Sequence, residues 1–368
     1  MATARPPFRA DEVGSLLRPA ALKEARAKFA DGKLDAEGLK AVEDDCIREV
    51  IARQEKAGLQ AVTDGEFRRS WWHFDFLAGL DGVDWVQAAS IQFAGVQTKS
   101  ESIAVTGKVE FSDHPMLEHF RFVQDTATVT PKITIPSPSV LHFRGGRDSV
   151  SRQAYPDINN FFADTAEAYA KAVRAFYAAG CRYLQFDDTV WAYLCSPKEQ
   201  QSIRERGDDP EALMTAYKGM ISHALRAKPD DMTITTHVCR GNFRSSWISE
   251  GGYEPVAEML LSELDYDGYF LEYDTDRAGG FEPLRFLPKG DKRVVLGLLT
   301  SKFGELENRD GVLARIEEAS KFAPVEQFCL SPQCGFASTE EGNVLSEEEQ
   351  WRKLGFIVDV AREVWGDV

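Results

Sequence analysis

The sequence predicts an α/β protein built as a (β/α)8 barrel, with a β-hairpin or small sheet inserted near residues 81–130. Three observations carry this. Short apolar runs alternate with longer amphipathic ones along all 368 residues, the pattern of strands joined by crossover helices. Six of the runs close on chemically capable residues, and working residues in such barrels gather where strands end and loops begin. No repeat, low-complexity stretch or linker divides the chain, so residues 1–368 read as one catalytic barrel domain.

The strand runs are 8–14, 59–63, 132–135, 183–187, 232–238, 268–272, 293–298 and 327–330. Helical patterns fill 35–56, 158–179, 210–227, 255–264, 310–322 and 346–365, with apolar residues three and four apart. One stretch departs from this. Around Trp85-Val86-Gln87, 91–97 and 102–111, apolar and polar residues alternate, as on a half-buried sheet. It reads as an insert after the second helix that caps the barrel mouth.

The chain is 43% hydrophobic and 28% charged, ordinary for a large core. A net charge of −16 and a pI near 5.0 argue against nucleic acid and anionic membrane as main partners. No run approaches the roughly 18 apolar residues of a membrane span, and the start lacks a signal peptide's apolar core. Six scattered cysteines read as reduced thiols of a cytoplasmic protein. Cys46, Cys181, Cys195 and Cys329 read as packing residues.

His237 and Cys239 close the run 232–238 two residues apart. Residues i and i+2 of a strand face the same way, so an imidazole and a thiol project together, half of a zinc site. Cys334 and Glu272 close other runs and complete it; Asp274 and Asp276 compete with Glu272 for the fourth place. Two thiolates, an imidazole and a carboxylate favour zinc over magnesium or calcium. Such a zinc is a weak Lewis acid for water but still lowers the pKa of an incoming thiol. That points to thiol alkylation rather than hydrolysis. A structural zinc would draw its ligands from one local knuckle, not from three distant segments.

The other strand ends have two readings each. Asp187-Asp188 can hold a substrate ammonium or cap a helix. Glu66 can bind an amine or pair with Arg68 or Arg69. Ser15 can hold a carboxylate or shape a turn. Trp71, Trp72, His73, Phe74 and Trp191 can stack on a flat cofactor or fill a helix core. Arg240 and Asn242 can bind an anion or tie down their loop.

With these residues in view, the chain resembles the cobalamin-independent methionine synthase superfamily, in the form of its catalytic C-terminal barrel standing alone. The resemblance rests on Val13-Gly-Ser-Leu-Leu-Arg-Pro19, Asp64-Gly-Glu-Phe67, Leu184-Gln-Phe-Asp-Asp188, His237-Val-Cys239, Leu271-Glu272 and Ser331-Pro-Gln-Cys-Gly-Phe336. It implies His237, Cys239, Glu272 and Cys334 as zinc ligands. It also implies Ser15, Glu66 and Asp187 as homocysteine-binding residues. The chain departs from the family in three ways. The long enzymes' N-terminal barrel is absent. Their folate-stacking tryptophan is missing where the third strand runs on into 136–142. Their catalytic histidine is missing where this chain has Leu299-Thr-Ser-Lys-Phe-Gly-Glu305, which leaves Lys302, Glu305 and Asp187 as catalytic candidates.

The implied activity is zinc-dependent methylation of homocysteine to methionine. The methyl donor is methyl-folate, a methylated corrinoid protein or a small methylated sulfur or nitrogen compound. Two other readings use the same residues. One is a thiol alkyltransferase that opens an epoxide with coenzyme M; the other is a non-catalytic zinc- or thiol-binding protein.

Overall fold

Strands and helices alternate along the chain, and the strands make one parallel wall. The computed structural model describes residues 5–87, 92–93, 96–97, 101–242 and 244–366. Six parallel strands lie in the order Phe328–Pro332, Arg293–Leu299, Gly268–Glu272, Thr233–Val238, Tyr183–Asp188 and Ile133–Pro136. Thr130–Pro131, on the same stretch of chain as the last of these, pairs in parallel with Ala61–Val62. Ala10 closes the ring through a parallel bridge to Leu330. Spatial order follows chain order around the ring, as in a (β/α)8 barrel.

The seam between the first two positions is irregular, and the strands expected at 8–14 and 59–63 shrink to the Ala10 bridge and Ala61–Val62. Side chains replace the ladder there. Asp11 accepts from the N–H of Phe8 at 3.1 Å and of Glu12 at 2.8 Å. Gln54 accepts from the Thr63 N–H at 3.0 Å and donates to the Thr63 carbonyl at 2.9 Å.

The barrel helices Ala36–Ala57, Ile158–Ala178, Pro210–Leu225, Arg309–Ala319 and Glu347–Trp365 each start at a side-chain cap: Asp35, Asp157, Asp209, Asn308 and Ser346. Each caps an N–H that has no partner within its helix. The helix expected at 255–264 is instead a short π-helix, Glu258–Glu263. At its C-terminal end the Tyr269 hydroxyl lies 3.3 Å from the Leu261 carbonyl and 2.8 Å from that of Leu264, where carbonyls have no partner within the helix.

The insert is a two-stranded antiparallel ribbon, Asp81–Gln87 against Glu101–Glu110. A short pairing of Gln92–Phe93 with Val96–Gln97 lies between them; the rest of the alternating stretch 91–97 falls outside the described residues. The ribbon leaves the barrel after the second strand and precedes the helix Met116–Thr126, so it does not follow the second barrel helix. That helix buries Met116, Phe120 and Val123 on one face, a helical period within the stretch read as sheet.

Inside the barrel, Val13, Phe270, Val295 and Cys329 form one apolar cluster and Phe8, Ala61 and Tyr183 another. Between them a fully buried ion pair joins Lys132 to Asp11 at 3.2 Å. The Lys132 ammonium lies 4.2 Å from the Phe270 ring centre, and the Tyr183 hydroxyl donates to Asp11 at 2.8 Å. Burial is affordable because pair and hydrogen bonds are both present. Among the described residues no helix is long and apolar enough to cross a membrane.

Candidate metal centre and active-site cleft

The strand register brings the sequence-predicted residues together. Thr233–Val238 carries His237 to its end, with Cys239 just beyond, and Tyr183–Asp188 lies beside it with Asp187 opposite His237. The loop after Phe328–Pro332 returns Cys334 to the same place. Candidate ligand atoms of His237, Cys239 and Cys334 all lie within 4.8 Å of one another, and all three residues are buried. The two sulfur atoms are 3.4 Å apart.

The donor set fits a soft divalent metal. His237 Nδ1 lies 3.1 Å from Asp187 Oδ1 and Nε2 lies 3.2 Å from the Gln333 carbonyl. Burial alone would lower the pKa of His237. Hydrogen bonds and charge from Asp187 and Cys334 outweigh it and raise the pKa to about 10. A metal would displace the Nε2 proton while Asp187 keeps the Nδ1 proton, the usual support of a metal-bound histidine. Contact between the sulfurs splits the two thiols. The hydrogen bond from Cys239, with His237 beside it, pushes Cys334 well below the ordinary thiol range. The same contact and burial push Cys239 up.

Glu272 stands outside the 4.8 Å cluster. Its carboxylate accepts from the Arg240 N–H and from Arg277, both at 3.3 Å. Its charge still reaches Cys239. Asp274 pairs with Arg277 at 3.3 Å. Lys302 is buried, its ammonium has no hydrogen-bond partner among the described residues, and its charge favours the ionised forms of Cys239, Cys334 and Glu272. Glu305 is not brought to the cluster: its side chain is exposed and does not line the cleft.

The cluster lies in a cleft whose lining includes Ser15, Glu66, Asp187, His237, Cys239, Asn242 and Cys334. Glu66 follows Gly65 (φ +66°) and itself has φ 60°, a left-handed backbone that costs a glutamate energy and fixes where its side chain points. Its Oε1 accepts from Thr134 at 2.9 Å and faces Arg69 at 3.5 Å. Its Oε2 has no partner among the described residues. Burial raises the pKa of Glu66 to about 7, against the opposing charge of Arg69. Arg68 turns away to Glu43 and Asp44. Ser15 Oγ accepts from the Ala337 N–H at 3.4 Å. A Cβ on Gly335 would stand 1.9 Å from that oxygen, so a larger residue there would force the Ser15 hydroxyl from its place.

Asp188 caps the Val190 N–H at 2.9 Å and accepts from Ser139. Trp191 is fully buried in the core. Trp71, Trp72 and His73 line the cleft. Arg240 is buried 4.6 Å from the Tyr253 ring centre, while Asn242 faces the cleft and donates to the Gly335 carbonyl at 2.7 Å.

Sequence reasoning gave no role to Arg18, Arg144 or Tyr193. Arg144 and Tyr193 line the cleft and meet at 3.1 Å. Arg18 is buried and donates to four carbonyls: Ala337, Thr339, Glu66 and Arg69, at 2.8–3.1 Å. It joins the loop of Glu66 to the loop of Cys334. Its place in Val13–Pro19, beside Ser15, was the available signal.

Comparison with known proteins places this geometry. Residues 8–363 match the model of the cobalamin-independent synthase catalytic domain. An uncharacterised Bacillus subtilis protein, YxjH, is 53% identical over 98% of this chain and 95% of its own. The crystal structure of a putative vitamin-B12-independent methionine synthase from Listeria monocytogenes is 44% identical, with a TM-score of 0.81 over 99% of this chain and 100% of that one. A B12-independent methionine synthase from a Shewanella species, solved in complex with selenomethionine, shares the fold at 20% identity, with a TM-score of 0.73 over 97% of this chain and 98% of that one. The chain belongs to the cobalamin-independent synthase catalytic-domain family, a methyltransferase-type, methionine-synthase-like enzyme family.

Proposed function

We propose that this chain is a zinc-dependent thiol methyltransferase that converts homocysteine to methionine. The observation that carries the reading is one cleft holding both a three-ligand soft cluster and the groups an amino-acid thiol needs. His237, Cys239 and Cys334 would hold zinc, with Glu272 as fourth ligand once its carboxylate turns from Arg277. Zinc, when bound, supplies the Lewis acidity that makes the substrate's thiol a thiolate near neutral pH.

The chain's own residues do the rest. Ser15 receives the substrate carboxylate, and Glu66 offers its unpartnered Oε2 to the ammonium. Asp187 is lent to His237, so its first task in this reading is to orient that ring; its contact with the ammonium is secondary. Lys302 balances the thiolate and carboxylate charge from behind the cluster. The gain in rate comes from holding thiolate and methyl group in line, away from water. All six cysteines are free and buried, which suits work in the reducing cytoplasm.

The test is methionine formation by the zinc-loaded protein, followed by mass spectrometry with isotopically labelled methyl donors. Labelled methionine from homocysteine and methyl-folate, methylcobalamin or S-methylmethionine is the expected result. Binding of homocysteine with no product from any of them would favour a thiol-binding protein instead.

A further inference from the structure

We propose that His73 is a substrate-contacting residue for the molecule that brings the methyl group; this rests on reading the cleft as a methyl-transfer site. His73 is 2% exposed and lines the cleft. The face-to-face approach of Trp72, with ring centres 4.4 Å apart and planes 23° apart, covers one side of the imidazole. Phe74 stacks on it as well, at 3.9 Å and 29°. With Trp72 and Phe74 stacked on it and Trp71 crossing it at 6.0 Å and 78°, the imidazole reaches the cleft that it lines through the part these three rings leave free.

Neither nitrogen has a hydrogen-bond partner among the described residues. The other buried histidines are all served: His114 by Phe76 and Met116, His142 by Tyr217, and His237 by Asp187 and Gln333. A neutral imidazole presents one donor and one acceptor, and buried polar atoms left unpaired are costly and uncommon. The position is held from behind. Asp75 accepts from the N–H groups of Ser70 and Trp71, at 3.1 and 2.8 Å, so the segment is braced rather than loose. Burial, with the positive charge of Arg144 nearby, keeps the ring neutral, so it offers N–H and lone pair together.

The amino-acid thiol already has takers elsewhere: the cysteine–histidine cluster for sulfur, Ser15 for the carboxylate and Glu66 for the ammonium. His73, with Trp72, Tyr193 and Arg144 on the same cleft, is left for the second substrate. That substrate presents a polar, hydrogen-bonding edge to the imidazole.

The experiment compares wild type with His73→Phe, which keeps a ring in the stack but removes both nitrogens, and with His73→Asn, which restores a hydrogen-bonding edge. Steady-state methionine formation is measured with methyl-folate varied at saturating homocysteine. Homocysteine affinity is measured by calorimetry without donor, and zinc by mass spectrometry. The expected result for His73→Phe is a rise of about tenfold or more in the KM for the donor, the effect of one lost hydrogen bond. Homocysteine affinity and zinc content stay unchanged, and His73→Asn recovers part of the loss. An unchanged donor KM in His73→Phe overturns the proposal, as does an equal loss of homocysteine affinity. Wild-type protein that binds no homocysteine sinks the methyl-transfer reading itself. Wild type that binds homocysteine but makes no methionine from methyl-folate counts against His73 as the contact for that donor.

Discussion

Asp187 Oδ1 stands 3.1 Å from Nδ1 of His237, and the Gln185 side-chain amide donates to the same oxygen at 2.8 Å. A carboxylate placed this way fixes which imidazole nitrogen keeps its proton and which one faces the sulfurs. Asp187→Asn keeps the shape but weakens that preference. Zinc affinity, measured by competition with a chelator, should fall roughly 10- to 100-fold while the fold is retained. Unchanged affinity would return Asp187 to a role on the substrate alone.

Glu66 carries the second prediction. Burial raises its pKa to about 7, so below that pH it is neutral and cannot hold an ammonium. Homocysteine affinity should therefore rise as pH increases through about 7. Glu66→Gln should bind roughly tenfold or more weakly, as for a lost charge-assisted hydrogen bond, and lose that pH step. Calorimetric titration between pH 6 and 8 reads both effects. The step surviving in the glutamine variant would place the titration elsewhere. An unaffected affinity would fit a thiol without an amine, such as coenzyme M.

Glu12 tests the barrel interior. Burial raises its pKa from 4.5 to about 7, against the pull of Lys132. The folded state holds the proton more tightly than the unfolded chain. The resulting stabilisation is fully present below about pH 4.5 and is lost as pH rises through about 7. Glu12→Gln removes this dependence. Relative to the variant, wild type should lose on the order of 3 kcal/mol between pH 4.5 and 8, read from urea unfolding. Parallel stability curves for the two proteins would contradict the shift.

Arg18 serves four buried carbonyls. Arg18→Met leaves them unpaired and should destabilise the protein by on the order of 3 kcal/mol. Homocysteine affinity should fall too, because the loops of Glu66 and Cys334 lose their common anchor. A loss of stability under about 0.5 kcal/mol, the usual range for surface changes, would mean that those loops hold their places without it.

The ring of strands was legible because apolar runs ending in polar residues report burial directly, and His237, Cys239, Asp187 and Cys334 meet where that pattern puts them. The first strand was misread because its apolar pattern does not show that the Asp11 side chain takes the amides a ladder would use. The helix Met116–Thr126 was missed because its period of Met116, Phe120 and Val123 sits directly after an alternating ribbon. Glu305 was placed by position in a loop, which does not say which way a loop side chain turns. Arg18 depends on contacts between segments brought together only by the fold, with carbonyls of residues more than 300 positions away. No local pattern encodes those.

X-ray absorption at the zinc edge, with and without homocysteine, reads thiol activation in this cleft. Zinc bound by two sulfurs, from Cys239 and Cys334, rising to three when homocysteine is added, is the expected result. Loss of zinc in both Cys239→Ser and Cys334→Ser should accompany it. A sulfur count that stays at two with homocysteine bound would contradict the claim that this cleft activates that thiol.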